Sequence, residues 1–119
     1  MTHRFRIILL MVTVMACGAH ARTHLENCLE IAKDSAHIFS LLQDAEAKLP
    51  GTREQTIEAV RQATYGEIKR KRADGSVLAE FLETKRMYFE IAVKNLYAEP
   101  SAKPERIERL VYERCATSR

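Results

Sequence analysis

The chain has 119 residues, 29% of them charged and 46% apolar, with a formal net charge of +3. That length accommodates one ordinary domain, and that balance excludes a disordered chain of low hydrophobicity and high net charge. The absence of Trp and the scarcity of breakers, four Gly and three Pro, disfavour a many-turned β-sandwich or barrel and point to long helices.

Arg4 and Arg6 precede an apolar stretch over residues 7–16, and Ala19-His20-Ala21 offers small residues at an A-x-A cleavage position. Charge, short apolar run and small-residue site in that order predict a secretory signal over 1–21, followed by a single helical domain over 22–119. The apolar run is too short to span a membrane. A competing reading moves the cut. Val14-Met15-Ala16-Cys17 resembles a bacterial lipobox, which would make Cys17 a lipidated first residue and tether the protein to a membrane. Leu is usual where Val14 stands, and Met15 is bulky for that motif, so cleavage after Ala21 is preferred.

Loss of residues 1–21 removes Arg4 and Arg6. It leaves 17 basic against 16 acidic side chains, a formal charge of +1 over 98 residues. The basic balance of the full chain is therefore no argument for a nucleic-acid partner. Cys17 leaves too, and Cys28 and Cys115 remain. An even pair in an exported chain of this size predicts a Cys28–Cys115 disulfide. The long loop it closes is worth about 4–5 kcal/mol in the chain-entropy model. Two Cys so distant in sequence, without clustered His, make a poor zinc pattern.

Four helices follow from caps and periods. The first covers 25–48: Thr23 with Glu26 forms a capping box, and Pro50-Gly51 stops it. Leu25, Cys28, Leu29, Ala32, Ser35, Phe39, Leu42 and Ala45 recur at helical spacing. The second covers 53–72 behind a Thr52/Gln55 capping box. Its apolar face (Ile57, Val60, Ala63, Thr64, Ile68) is thin, and Gly75 is the expected left-handed stop. The third covers 77–98 with Ser76 as its N-cap. It carries a broad stripe from Leu78, Phe81 and Leu82 through Tyr88, Phe89, Ile91 and Ala92 to Leu96 and Tyr97, interrupted by Lys85 and ended by Pro100. The fourth covers 104–115. Pro104 suits the first helical turn, and Ile107, Leu110, Val111 and Cys115 share a face.

Short connections leave neighbouring helices antiparallel. The expected fold is all-α, a small antiparallel bundle of four helices with the fourth shorter, after a cleaved signal peptide. The start of the first helix and the end of the fourth then share one end of the bundle, where Cys28 and Cys115 meet. The first three helices reach roughly 30–36 Å and the fourth about half that. Part of the groove between the others stays uncovered and is a candidate binding surface. The plainer accounts are that the first helix bends to close it or that a second copy of the chain packs there as a homodimer.

The densest charge run is Lys69-Arg70-Lys71-Arg72. As a functional site it would bind anions such as phosphate-rich lipid headgroups, lipopolysaccharide or an acidic partner. Favourable placement of cations at a helix C-terminus, with a Glu67–Lys71 pair, explains it more simply. No aromatics interleave with it, which argues further against nucleic acid. His24 and His37 stand several turns apart on one helix and read as surface histidines. Tyr88, Phe89, Tyr97 and Tyr112 read as core rather than as a pocket, with hydroxyls that need partners. No G-x-S-x-G, H-E-x-x-H, S-x-x-K, Walker or dinucleotide motif occurs. Acidic and basic residues alternate as on solvated helix faces. The sequence therefore predicts no enzyme, no catalytic residue, no metal and no cofactor.

The order of features is itself familiar: an export signal, a Cys one turn into a long helix, then Lys71-Arg72-Ala73-Asp74-Gly75-Ser76, then Tyr97-Ala98-Glu99-Pro100, and Tyr112-Glu113-Arg114-Cys115 in a final helix. This pattern resembles a group of small, uncharacterised exported proteins of Gram-negative bacteria. The resemblance implies a periplasmic helical protein with one disulfide and supplies no activity. The chain is not close to the periplasmic acid-stress chaperones, although those are also small, helical and single-disulfide.

Together these features predict a non-enzymatic periplasmic or secreted protein that binds another protein, as an inhibitor or immunity-type protein for an envelope-acting partner. A stress chaperone opened by protonation of carboxylates and of His24 and His37 is the alternative. An envelope anion or lipid binder acting through Lys69 to Arg72 is the third reading. Membrane contact is expected only through that run or through lipidation.

Overall fold

The computed structural model describes residues 22–71 and 75–118, with side chains excepted over 71–79. Within them are four helices: α1 (His24–Lys48), α2 (Arg53–Lys71), α3 (Gly75–Ala98) and α4 (Pro104–Thr117). No strand occurs among the described residues. At 14 residues against 25 for α1, α4 is the short helix. The signal segment, Cys17 and the cleavage position lie outside the described residues.

The local chemistry explains the boundaries. Thr23 is in an extended conformation and its hydroxyl accepts the Glu26 N–H at 3.1 Å, capping α1. Gly51 sits at φ 113°, the left-handed region that glycine enters without steric cost. A Cβ there would also run into the Gln55 carboxamide oxygen. That carboxamide is occupied in a complete capping box: the Thr52 N–H donates to Gln55 Oε1 at 3.0 Å and the Gln55 N–H donates to the Thr52 hydroxyl at 3.2 Å. Pro104 opens α4, where a missing N–H costs nothing.

The expected stop at Gly75 is a correction. Gly75 is the first residue of α3 and Ser76 the second, so neither the left-handed cap nor the serine N-cap stands where composition suggested. Helix α2 ends at Lys71 and α3 begins at Gly75, and residues 72–74 between them lie outside the described residues.

Cross-helix contacts set the directions. Arg53 meets Glu46 at 2.7 Å across the α1–α2 turn. Tyr97 donates to Glu54 at 2.9 Å and Arg61 reaches Glu90 at 2.9 Å, so α2 and α3 run antiparallel. Lys85 meets Asp34 at 3.3 Å, which places α3 parallel to α1. Gln43 donates to the carbonyls of Pro100 at 3.1 Å and Ala102 at 2.7 Å, and Cys28 is bonded to Cys115. Those contacts pin α4 antiparallel along α1. The up-down-up-down bundle is as the short connections predict.

The core is one cluster: Ala32, Ile38, Phe39 and Leu42 from α1, Ile57 from α2, Tyr88, Phe89, Ala92 and Leu96 from α3, and Ile107 and Val111 from α4. Small residues at Ala32, Ser35, Ala36 and Ala92 allow the helices to approach closely. Helix α1 is the central element, packing most extensively on α4 and α3. Helix α2 is the loose one. Its buried residues, Thr56 and Ile57, both fall in its first two turns, and Ala63 is exposed while Thr64 and Ile68 are half-buried. A thin apolar face can bury only a little surface, so α2 gains little from packing along its second half.

Candidate functional site

The looseness of α2 leaves a groove along the bundle. A groove of about 440 Å³ lies between α1, α2 and α3. Ile38 and Leu41 of α1, Ile68 of α2 and Phe81 of α3 provide its apolar lining, with Asp34, His37, Thr64, Glu67 and Lys85 among the polar groups. Leu41 is 40% exposed, a large cost-free contact surface for an incoming group. This groove lies on the flank of α1 away from α4. The short fourth helix lies along α1 from the Gln43 level to the disulfide, and α2 fails to close the opposite side.

Lys85 is the charged feature of the groove. Its ammonium lies 3.3 Å from the Asp34 carboxylate and 5.4 Å and 5.3 Å from the ring centroids of Phe81 and Tyr88. Two aromatic faces and a carboxylate hold the cation where its stem covers apolar surface. The interruption that Lys85 makes in the sequence stripe is thus real and falls at the groove. The groove presents an apolar lining bordered by both signs of charge.

The second feature is the disulfide end. Cys28 is fully buried and Cys115 half-buried, with Cα atoms 5.5 Å apart, a normal span for a cross-link. The His24 Nε2 lies 3.0 Å from the Cys115 carbonyl oxygen and 3.6 Å from Cys28 Sγ. A carbonyl only accepts, so Nε2 carries the proton in this arrangement. This cluster was not expected from sequence. Its one legible trace is the i,i+4 spacing of His24 and Cys28, which stacks the two side chains on one helical face; Cys115 arrives from a distant helix.

The remaining expectations separate. Lys69 and Arg70 are exposed near the end of α2, Lys71 is its last helical residue, and Arg72 lies outside the described residues. The structure brings neither Lys69 nor Arg70 into the groove. His24 and His37 are both exposed, His37 beside the groove. Tyr88 and Phe89 are core, and Tyr112 is half-buried against it. Tyr97 is not core: it is 47% exposed, donates to Glu54 and lies under the Arg53 guanidinium at 5.4 Å. That hydrogen bond pushes the Tyr97 phenol up, with burial adding to it. Glu54 is held low, first by its own backbone N–H at the start of α2 and then by the Tyr97 hydroxyl. Leu25 and Leu29 are likewise exposed, at 52% and 42%, while Ala36 and Ile38 take places in the interior.

Among the described residues no helix is long and apolar enough to cross a membrane. No protein-family model, curated protein or solved structure matches the chain.

Proposed function

We propose that this is a non-enzymatic binding protein of the periplasm or an equivalent oxidising compartment, which takes a protein partner at the groove between α1, α2 and α3 in the manner of an inhibitor or immunity protein. The observation that carries this reading is the groove: about 440 Å³, open to solvent, apolar within and bordered by charges of both signs. Its chemistry suits an apolar side chain of the partner flanked by polar groups. The disulfide supports an oxidising compartment, and the export signal read in residues 1–21 supports the same address. The resemblance to small exported proteins of Gram-negative bacteria agrees with it.

A photoreactive residue placed at position 41 tests the reading in the native host, because Leu41 is already exposed and its replacement leaves the core intact. One discrete protein adduct at position 41, with none from position 63 on the exposed side of α2, is the expected result. Adducts of equal pattern from both positions, or none at 41, would remove the groove as the docking surface. The exposed Lys69 and Arg70 favour a second reading, an envelope anion binder. It requires salt-sensitive binding to anionic liposomes that charge reversal of Lys69 to Arg72 abolishes.

A further inference from the structure

The end of the bundle that holds the disulfide offers more than a cross-link. Three groups with metal-ligand chemistry converge there from two helices. The ligand atoms of His24, Cys28 and Cys115 all lie within 4.8 Å of one another. We infer that on reduction of the disulfide these three residues form a thiolate–imidazole site for one divalent ion of the zinc class, so that metal binding and disulfide formation exclude one another at this position.

The geometry is close to what such an ion needs. Ligands at about 2.0–2.3 Å from a tetrahedral centre stand roughly 3.5–3.8 Å apart. His24 Nε2 is already 3.6 Å from Cys28 Sγ. The two sulfurs are bonded in the oxidised chain and must separate by side-chain rotation. The 5.5 Å between their Cα atoms leaves room for that without moving either helix. His24 and Cys28 are one turn apart on α1, which fixes their mutual orientation. Cys115 is held opposite by α4, whose register is set at the far end by Gln43. His24 is exposed, so solvent fills the fourth position, as in open zinc sites with three protein ligands. The donor set of two thiolates and one imidazole is borderline-soft and selects zinc-class ions over calcium or magnesium.

The chemistry balances simply. A dithiol reductant breaks the Cys28–Cys115 bond and closes to its own disulfide, leaving two thiols. The ion then displaces one proton from each thiol into solvent and no electron moves. The His24 proton, now on Nε2 facing the Cys115 carbonyl, relocates to Nδ1 through solvent, which frees the Nε2 lone pair. Because both sulfurs are consumed by the metal, a bound ion holds the thiols against oxidation. This inference is independent of the partner groove.

The test is anaerobic titration of the reduced protein with Co2+, followed by competition with Zn2+, with far-UV circular dichroism recorded throughout. One equivalent of Co2+ is expected, with thiolate charge-transfer absorption and a tetrahedral d–d spectrum, whereas the oxidised protein binds none. His24→Ala keeps both thiols and should weaken binding by at least the 10–100-fold that loss of even an outer-shell partner costs. If reduction alone unwinds the bundle end, the ion should restore the helicity, because binding and folding are linked. Zn2+ should also slow reoxidation of the thiols. The inference is overturned by no Co2+ uptake in the reduced chain, by equal affinity in His24→Ala, or by uptake without any recovery of lost helicity.

Discussion

Cutting the cross-link between α1 and α4 probes how the bundle is held where the start of α1 meets the end of α4. Cys28 and Cys115 are separated by 87 residues, so the bond constrains nearly the whole described chain when it unfolds. The loop-closure expression gives about 4–5 kcal/mol at 25 °C for a loop of that length. Domains of this size have a total stability of about 5–15 kcal/mol, so the loss is a large share of it. Cys115→Ala is the suitable variant. Cys115 is only half-buried, so truncation opens no large cavity, and the Cys28 thiol left behind behaves as a small buried hydrophobe. Urea unfolding followed by circular dichroism should show the midpoint falling and the m-value rising, because the uncrosslinked chain expands further when unfolded. Thermal unfolding should move down by about 16–40 °C at the usual 4–8 °C per kcal/mol. Wild-type protein treated with a dithiol should coincide with the variant. A loss under about 1.5 kcal/mol with an unchanged m-value would refute the reasoning. It would mean that the unfolded chain keeps α1 and α4 together without the bond.

Other consequences are local. The Ser35 hydroxyl is fully buried and has no hydrogen-bond partner, so Ser35→Ala should raise stability by about 1 kcal/mol in urea unfolding. Phe89 is fully buried in the core and also packs against Tyr65 at 6.0 Å between ring centroids; Phe89→Ala should cost about 3–5 kcal/mol. The depressed Glu54 carboxyl contributes stability present above its unfolded value and lost as pH falls through its folded value. Tyr97→Phe removes one of its causes and should move the Glu54 titration, followed by NMR, upward. Burial raises Tyr65 and Tyr88, and the Glu54 hydrogen bond raises Tyr97. Their neutral forms favour the fold at pH values below the unfolded phenol range, and that contribution is lost as pH rises through the folded values. Ultraviolet difference titration should show these three ionising above the ordinary tyrosine range.

Much of the fold was legible in the sequence because it rests on local rules. Thr23, the Thr52/Gln55 box, Gly51 and Pro104 each act within one turn of backbone, and each stands where those rules put it. The stripe of Phe39, Leu42, Phe89, Leu96, Ile107 and Val111 follows from a period that any helix of this composition shows. The up-down order follows from connections too short for anything else. Gly75 shows where local rules ran out: a glycine suits a stop, but the chain begins the next helix there.

The tertiary structure alone decided which flank of each helix is covered and what meets across helices. Leu29 and Ala36 lie two turns apart on one face of α1, yet Ala36 is buried and Leu29 stays in solvent, so position along the helix as well as face decides what is covered. Lys85 is readable as an interruption with Phe81 and Tyr88 one turn to either side on the same helix, but the Asp34 carboxylate that meets it comes from α1, far away in sequence. The thin face of α2 is visible in its residues; the groove it leaves is lined by Ile38, Leu41 and Phe81 only because α1 and α3 pack side by side next to it. The meeting of His24 with both cysteines depends on α4 folding back over α1. The sequence by itself determines elements because helices are made by neighbours along the chain. Sites are made by neighbours in space, and those were set by packing.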